Sequence, residues 1–574
     1  MIKLKRLLFI NLALISYSLY AKDIEKSLPT AIPGAAHFMK QHPKSDFNGD
    51  GILTHAEKEK YCIETISAQL GGDYTFERHM VPMRDGVKLA TGIFVPKNAG
   101  PAPVILTRTA YGIWSAAFHN AHRFKGQNLV FICQDPRGDG ESEGKGTFDA
   151  KSFDNEIEDG YDAIDWISKQ AFCNGNVGII GQSGHGFCGY MAYLAKHPAL
   201  KTVSTNVSGG NAYLYWTYHN GVRREMYNWL QQRNTQTPQW PKPTITLFNK
   251  NTYAQTIKKA SINNQTAFIA KTGWYDIFAE SALDYFEAFA DKGNLYIQVD
   301  ASGHGNMAGR KPPMRAVPAK WQLPKLSKAL TGSVTEKSKM IYFLMGDSTD
   351  PNAPGNEYKM TEVWPVPHKK VSYYMKSDGS LKTSLPTVKN AALSFKYDPR
   401  NPVPSIGGDV FIHTGVGPKD QRLNKDRKDI LRFRSDVLQA PMEITGKVFA
   451  ELFIKTDVED TTFTANLIDI YPDGYEAIVR DSIIMGRFHE GFDKQSKLKK
   501  DKVYKLTMDM WSTAIVINKG HRLAVHISSS NSPKYEVHPN SYEPVMSFNE
   551  SPVANNTIML SKKYPSRIIL PVVK

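Results

Sequence analysis

Cysteine is scarce in this chain of 574 residues, which contains only Cys62, Cys133, Cys173 and Cys188. Their spacing matches no metal-ligand pattern, so the sequence predicts no cysteine-based metal centre. Four cysteines allow three disulfide pairings, and the sequence does not choose among them. Cys133 lies in the apolar run 129–133, which accommodates a buried free thiol as readily as a bridge.

Long apolar runs are also rare, and the most pronounced one lies near the N-terminus. Three basic residues precede the run 7–20, and the small residue Ala21 offers a cleavage site. The run is too short and too often interrupted by polar residues for a membrane span. This pattern is typical of a signal peptide over residues 1–21, so we expect a periplasmic or secreted protein. No cysteine lies near the cleavage point, so a lipid anchor is not expected.

Charge of one sign is not concentrated anywhere, although the formal net charge is +15. Lysine and arginine are scattered along the chain, so nucleic acid is not an expected partner. The sequence has no internal repeats and no low-complexity tracts. Its hydrophobic content of 41% is that of an ordinary globular protein, and its length predicts two or three domains.

Strands and helices alternate from about residue 76, which favours an α/β sheet with right-handed crossovers. The alternation stops over residues 211–262, an aromatic and proline-containing stretch that we interpret as a mostly helical cap over the site. The Pro- and Lys-rich residues 306–335 indicate a linker. From residue 336 onward helix patterns nearly vanish, and alternating strands predict an all-β sandwich. The predicted domains are therefore 76–335 and 336–574.

The chain is organised around residues 177–186, where a β-branched run ends in Gly181-Gln182-Ser183-Gly184-His185-Gly186. An apolar, helix-like run over 190–195 follows. Strand, sharp turn and helix form the setting of a nucleophile elbow, in which small neighbours let the serine adopt a strained backbone. The sequence therefore predicts that Ser183 is a nucleophile rather than part of a glycine-rich turn.

Two further polar residues lie just beyond predicted strands. Asp276 follows the strand 266–270, and His304 follows the strand 294–299, so the chain has the Ser…Asp…His order of α/β-hydrolases. In such a triad His304 takes the serine proton, and Asp276 orients the imidazole. The N–H of Gly184 and the hydroxyl of Tyr111, from the loop after the third strand, would stabilise the oxyanion.

Other residues compete for these roles. His185 lies two residues after Ser183, but at the head of a helix it would point away from the hydroxyl. His122 and His219 lack the strand-end placement and are more consistent with surface or cap histidines. Glu280 is an alternative to Asp276 as the residue that orients the imidazole.

The segment 22–75 contains a twelve-residue stretch, 46–57, that fits the EF-hand loop position by position. Gly51 allows the turn at position 6, whereas Pro43 would end the entering helix early. No second, pairing loop is present, so we predict a structural calcium site rather than a sensor. The alternative is an acidic turn that binds nothing. The predicted Ca²⁺ ligands are Asp46, Asn48, Asp50, Ile52 through its carbonyl, Thr54 and Glu57.

From about residue 76 to 574 the sequence resembles the CocE/NonD hydrolases. This family includes cocaine esterase, the α-amino acid ester hydrolases, the glutaryl-cephalosporin acylases and the X-Pro dipeptidyl peptidases. The matching motifs extend over both predicted domains, and the EF-hand-like segment lies outside them. They are Thr107–Gly112, Asp135–Gly144, Glu158–Ile167, Gly273–Asp276, Asp398–Ser405, Asp460–Gly474, Trp511–Thr513 and Gly520–Leu523.

The resemblance implies an α/β-hydrolase domain with a helical cap, followed by an all-β jelly-roll domain. It also implies hydrolysis through an acyl-enzyme, with Tyr111 and the amide after Ser183 as oxyanion donors. The chain departs from the family at Gly184, where the elbow usually has tyrosine. Members that act on α-amino acyl groups place carboxylates just past the triad acid. This chain has Phe278 and Ala279 there, so amino-ester specificity is disfavoured.

We therefore expect a secreted serine hydrolase that acts on a small-molecule ester, an amide or a short peptide, without a catalytic cofactor. Two enzymatic alternatives are an X-Pro dipeptidyl peptidase and an α-amino acid ester hydrolase, in which Glu280 or a cap residue would hold the substrate ammonium. The alternative from another class is a calcium-stabilised binding protein with an idle hydrolase fold.

Overall fold

The structure is a computed structural model in which two compact units are distinguished. The first unit comprises Met1–Thr205, Ile262–Phe268 and Trp321–Thr335, and the second comprises Asn206–Ser261, Ile269–Lys320 and Glu336–Lys574. The structure describes residues 40, 42–45, 54–97, 100–145, 155–211, 215, 218–224, 262–263, 265–304, 322–331, 336–410, 415–492, 494–542 and 549–574. The predicted signal peptide therefore lies outside the described residues.

The α-helices of the described residues are α1 (His55–Leu70), α2 (Ile113–Asn120), α3 (Glu156–Ser168), α4 (Gly184–Ala195), α5 (Ala279–Phe289) and α6 (Gln322–Leu330). A 3₁₀ turn, Ala121–Phe124, continues α2. Helix α1 ends at Gly71, whose φ of 81° is the left-handed conformation that terminates many helices. None of these helices is long and apolar enough to cross a membrane.

The first unit contains the beginning of the predicted α/β region. Its strands are β1 (Tyr74–Pro82), β2 (Lys88–Pro96), β3 (Ala102–Arg108), β4 (Val130–Gln134), β5 (Cys173–Gln182) and β6 (Leu200–Asn206). Their order in the sheet is β1-β2-β4-β3-β5-β6. Strands β1 and β2 form an antiparallel hairpin, whereas β3 pairs in parallel with β4 and with β5. Strand β4 is buried throughout, as expected of a parallel strand covered on both faces.

Further strands in the second unit belong to the α/β region. Strands β7 (Tyr218–His219) and β8 (Val222–Arg223) form a short antiparallel ribbon. Neighbouring strands then follow in the order β9 (Ala267–Tyr275), β10 (Asn294–Gly303), β11 (Lys339–Leu344) and β12 (Glu357–Thr361). Strands β10 and β11 are parallel, and β12 is antiparallel to β11.

The remaining strands of the second unit build two antiparallel sheets. They are β13 (Lys369–Met375), β14 (Leu381–Lys382), β15 (Ala392–Tyr397), β16 (Leu431–Arg434), β17 (Met442–Lys455), β18 (Thr462–Ile470), β19 (Glu476–Met485), β20 (Tyr504–Ile517), β21 (Arg522–Ser528), β22 (Ala554–Met559) and β23 (Arg567–Val572). One sheet has the order β14-β13-β23-β17-β22-β15, with β20 paired to β17, and the other has the order β16-β21-β18-β19. The all-β region therefore begins with β13 at Lys369, later than the predicted boundary at 336, because β11 and β12 extend the sheet of the α/β region beyond β10.

The structure differs from two local predictions. Residues 218–224 of the expected helical cap form the β7–β8 ribbon, because Asn220 and Gly221 both have positive φ values and make a tight hairpin turn. Most of the other cap residues lie outside the described residues. Part of the expected linker is helix α6, which places Pro324 in its first turn, where proline is tolerated. It buries Leu326 and Leu330.

The four cysteines are free and buried, so none of the three possible disulfides is formed. Burial raises the pKa of the Cys62 thiol to about 12, because the thiolate would lose its hydration. Such thiols are unreactive and act as small apolar side chains.

Candidate active site

Ser183 lies at a sharp turn between β5, which ends at Gln182, and α4, which begins at Gly184. Its backbone has φ 53° and ψ −129°, a conformation that is strained for a residue with a side chain. Gly181 is required in this turn, since a Cβ atom there would lie 2.2 Å from the carbonyl oxygen of His185. The predicted nucleophile elbow therefore has the strand–turn–helix geometry expected of it.

The candidate oxyanion residues lie in the same unit. The Tyr111 N–H donates to Thr109 Oγ1 at 3.1 Å, and Thr109 N–H donates to the carbonyl of Gln134 at 3.1 Å. The ring of Tyr111 packs against that of His185, with centroids 4.8 Å apart. The Tyr111 loop and the elbow are therefore in contact. Gly184 is the first residue of α4, and the N–H groups of a first helical turn have no partner within the helix.

A buried ion pair that we did not predict supports this region. Arg108 and Glu156 are both buried and pair through Nη1 and Oε1, while Arg108 Nε donates to Gln134 Oε1 at 2.8 Å. Burial raises the pKa of Glu156, opposed by the charge of Arg108 and by a hydrogen bond with Cys188. The pair therefore links the end of β3 to α3 and α4. A charged residue at the end of an apolar strand was the sequence signal for it.

In the second unit Asp276 and His304 form the predicted acid–histidine pair. Asp276 follows β9, His304 follows β10, and Oδ1 of Asp276 lies 3.0 Å from Nδ1 of His304. Thr272 Oγ1 donates to Oδ2 of the same carboxylate at 2.9 Å. Because a carboxylate accepts, Nδ1 carries the proton of the neutral ring and Nε2 is the basic nitrogen. The ring of Phe278 lies edge-on to His304 at 5.6 Å.

Glu280, the alternative orienting residue, is wrong for that role because its carboxylate is occupied elsewhere. Its Oε2 accepts from the Ser512 N–H at 2.8 Å, and its Oε1 accepts from Ser512 Oγ at 2.9 Å. Lys447 Nζ lies 2.9 Å from the same Oε1. Glu280 therefore ties helix α5 to the β-sheet strands of the same unit, and its carboxylate is engaged there.

The other candidate histidines have different surroundings. Both ring nitrogens of His219 are engaged, Nδ1 with the Tyr535 hydroxyl at 2.6 Å and Nε2 with the Asp509 carbonyl at 3.1 Å. Burial holds its pKa well below the usual range, so the ring is neutral. His122 is exposed on the 3₁₀ turn. His122 is thus the surface histidine that was expected, whereas His219, in the expected cap region, is a buried packing residue.

Two of the predicted calcium ligands are described. Thr54 Oγ1 accepts from the Glu57 N–H at 3.2 Å, and Glu57 Oε2 accepts from the Thr54 N–H at 3.0 Å, which forms a capping box at the start of α1. A carboxylate and a hydroxyl are donors that a hard cation prefers. Asp46, Asn48, Asp50 and Ile52 lie outside the described residues. Among the residues that are described, no group of three or more acidic, histidine or cysteine side chains could hold a metal ion.

Family models match two parts of the chain. Residues 85–260 match the X-Pro dipeptidyl-peptidase (S15 family), and residues 333–569 match the X-Pro dipeptidyl-peptidase C-terminal non-catalytic domain. The cocaine esterase of Rhodococcus sp. (strain MB1 Bresler) is 28% identical over 583 residues, which cover 88% of this chain and 99% of the relative.

Solved structures share the fold. The crystal structure of an aminopeptidase from the marine sediment archaeon Thaumarchaeota archaeon has a TM-score of 0.71 at 22% identity. That of a selenomethionine-labelled α-amino acid ester hydrolase has a TM-score of 0.70, also at 22% identity. Each alignment covers 88% of this chain and 97% of the other.

The fold is thus that of an α/β-hydrolase followed by a C-terminal β domain. Both family models and the esterase relative lead to the same group, as the sequence motifs predicted. The chain is a hydrolase, and both family models and the esterase relative show that it is similar to the CocE/NonD serine hydrolases.

Proposed function

We propose that this protein hydrolyses an ester or amide bond of a small molecule or short peptide through the triad Ser183, His304 and Asp276. The observation that carries the proposal is the 3.0 Å contact between His304 and Asp276, each directly after a strand. It occurs in a chain whose Ser183 has the strained backbone of a nucleophile elbow.

In the proposed reaction Nε2 of His304 takes the proton from Ser183 Oγ as the oxygen attacks the substrate carbonyl carbon. The negative charge that develops on the carbonyl oxygen is stabilised by the Gly184 N–H and the Tyr111 hydroxyl. His304 then gives its proton to the leaving alcohol or amine, and an acyl-enzyme remains. Water attacks the acyl carbon in the same way, which releases the acid and restores Ser183. Asp276 stays ionised and stabilises the imidazolium.

The surroundings of the triad acid favour a substrate without a free α-amino group. Phe278 is fully buried with its ring edge-on to His304, and Ala279 has no charge. The carboxylate of Glu280 is paired with Lys447. None of these three residues therefore offers a free anion for an ammonium group, which supports an ester or simple amide substrate.

An X-Pro dipeptidyl peptidase is the second candidate, because both family models are named for that activity. An α-amino acid ester hydrolase would need an ammonium partner other than Phe278, Ala279 and Glu280. Activity on a dipeptidyl-proline substrate would place that partner in the cap. A binding protein with an idle hydrolase fold would keep the elbow but show no turnover.

We further propose that residues 1–21 direct export and that strands β13–β23, within the predicted domain 336–574, form a jelly roll. The proposed domains before it are an EF-hand-like segment, 22–75, and a hydrolase domain, 76–335, with a cap at about 211–262. Calcium would be held at residues 46–57 and would stabilise the start of α1, where Thr54 and Glu57 supply oxygen donors.

The test combines labelling with a substrate panel. We expect a fluorophosphonate probe to label the wild type and Ser168→Ala, but not Ser183→Ala, since Ser168 only donates to a backbone carbonyl near the end of α3. We expect turnover of p-nitrophenyl esters above that of dipeptidyl-proline chromogenic substrates. Equal labelling of Ser183→Ala would contradict the triad, and the reverse substrate preference would favour the peptidase.

A further inference from the structure

Helix α1 precedes the part of the chain that the family models match, which begins at residue 85. It nevertheless contacts helix α2 and the 3₁₀ turn Ala121–Phe124. A backbone hydrogen bond fixes its C-terminal end, since Gly126 N–H donates to the carbonyl of Leu70 at 2.7 Å. Cys62, Ile66 and Leu70 form the buried side of the helix. The segment is therefore docked on the hydrolase domain.

Two sets of aromatic contacts join this N-terminal segment to one face of α2. Tyr61 of α1 lies 6.4 Å from Phe118 between ring centroids, and His42 stacks on the same Phe118 at 5.4 Å. The Tyr61 hydroxyl lies 3.3 Å from His42 Nδ1. Two aromatic residues of the N-terminal segment, His42 and Tyr61, therefore pack against Phe118.

Trp114 lies one helical turn before Phe118 and belongs to the same face of α2. Glu59 of α1 pairs with Arg78 at 3.1 Å, and the Arg78 guanidinium lies 5.8 Å from the centroid of the Trp114 ring. Phe76 packs against Trp114 at 5.1 Å. The ion pair is partly exposed and contributes little energy, and Arg78 also pairs with Glu141, so this is the weaker of the two links between α1 and α2.

The opposite face of α2 consists of Ile113, Ala116 and Ala117, which are buried. Helix α2 is therefore fixed from both sides. Only Gly112, with φ 87°, separates its first residue from Tyr111. Because the chain between them is so short, a shift of α2 moves the backbone that carries the Tyr111 hydroxyl.

We propose that helix α1 is a positioning element of the oxyanion site, which acts through Phe118 and Trp114 of helix α2 on the hydroxyl of Tyr111. The inference rests on the proposed function, in which Tyr111 donates to the oxyanion. Oxyanion donors lose effect when misplaced by a fraction of an ångström, so a loosened α2 lowers the rate of acyl transfer and leaves substrate affinity nearly unchanged.

The experiment compares Tyr61→Ala with its matched control Tyr61→Phe in the full-length protein. With a p-nitrophenyl ester, Tyr61→Ala is expected to lower kcat about tenfold with KM nearly constant, whereas Tyr61→Phe keeps the ring and retains kcat. Each kcat is calculated per mole of protein that a fluorophosphonate probe labels, so that unfolded protein does not lower the value. If Tyr61→Ala does not fold, Tyr61→Leu, which keeps apolar volume, replaces it.

A double-mutant cycle with Tyr111→Phe separates positioning from general destabilisation. If α1 acts through Tyr111, Tyr61→Ala causes no further loss of kcat when the Tyr111 hydroxyl is already removed. If the loss of kcat in the double variant equals the product of the losses in the two single variants, the two residues act independently. That result would overturn the inference and leave the oxyanion role of Tyr111 intact. An unchanged kcat in Tyr111→Phe alone would instead overturn that oxyanion role, and the inference with it.

Discussion

The carboxylate of Asp276 accepts a hydrogen bond from His304 through one oxygen and from Thr272 through the other. Asp276 is completely buried, and Oδ1 also accepts from the Phe278 N–H at 3.3 Å. The carboxylate can therefore neither rotate freely nor be hydrated, and it presents a fixed acceptor to the imidazole. This is the arrangement that sets the tautomer of a catalytic histidine.

We expect Asp276→Asn to lower kcat for ester hydrolysis by about 10⁴, because an amide favours the wrong tautomer of His304. The measurement is steady-state turnover of a p-nitrophenyl ester, with folding checked by circular dichroism. Asp162→Asn, in an ion pair with exposed Arg84, is the control and should retain activity. Turnover of Asp276→Asn near the wild-type value would rule Asp276 out of the triad.

The buried pair of Arg108 and Glu156 predicts a large loss of stability when one partner is neutralised. Glu156→Gln leaves the guanidinium buried without its counter-charge, so we expect the free energy of unfolding to fall by about 3–5 kcal/mol. The free energy of unfolding is measured by denaturant titration, from the first unfolding transition. Asp162→Asn is again the control, since a pair with an exposed arginine is worth at most about 1 kcal/mol. Equal effects of the two substitutions would refute the prediction.

His526 predicts a pH dependence of stability. Burial, with Arg432 and Arg434 nearby, lowers its pKa from 6.5 to about 3. Its Nε2 lies 3.9 Å from Glu476, but that carboxylate already pairs with Arg434 at 2.7 Å. In the folded protein the ring stays neutral, whereas in the unfolded chain it binds a proton below pH 6.5. Its contribution is therefore complete above pH 6.5 and is lost between pH 6.5 and 3.

We expect this loss to be about 1.4 kcal/mol per pH unit and to disappear in His526→Leu. The measurement is the melting temperature of wild type and variant at pH 7 and at pH 5. The decrease from pH 7 to pH 5 should be larger for the wild type than for His526→Leu. His122→Leu, at an exposed position, should follow the wild type. Parallel curves for wild type and His526→Leu would show that His526 does not contribute this proton.

Removal of calcium is expected to lower the melting temperature, because a bound ion stabilises only the folded loop. Asp46→Ala should abolish the difference between measurements with and without chelator. Glu64→Ala, an exposed acidic residue of α1, should preserve it. If chelator leaves the wild-type curve unchanged, residues 46–57 do not form a calcium site.

Much of the fold followed from short stretches of sequence. The elbow at Ser183 lies where the patterns of apolar residues and turns predicted it, and Asp276 and His304 follow strands as expected. Two errors had local causes. The proline and lysine content of residues 306–335 indicated a linker, although part of this stretch is helix α6. The aromatic residues around 211–224 indicated a helical cap, although Asn220-Gly221 is the turn of the β7–β8 ribbon.

The sequence by itself determined the elbow and the order of the candidate triad, because strand, turn and helix propensities act between near neighbours. Only the tertiary structure decided which side chains meet. Glu280 turned out to bind Ser512, which is 232 residues away, and Arg108 turned out to pair with Glu156, which is 48 residues away. It also brought the N-terminal helix α1 against α2. Such contacts depend on how segments that are distant in the sequence pack together, and a local sequence pattern does not predict that packing.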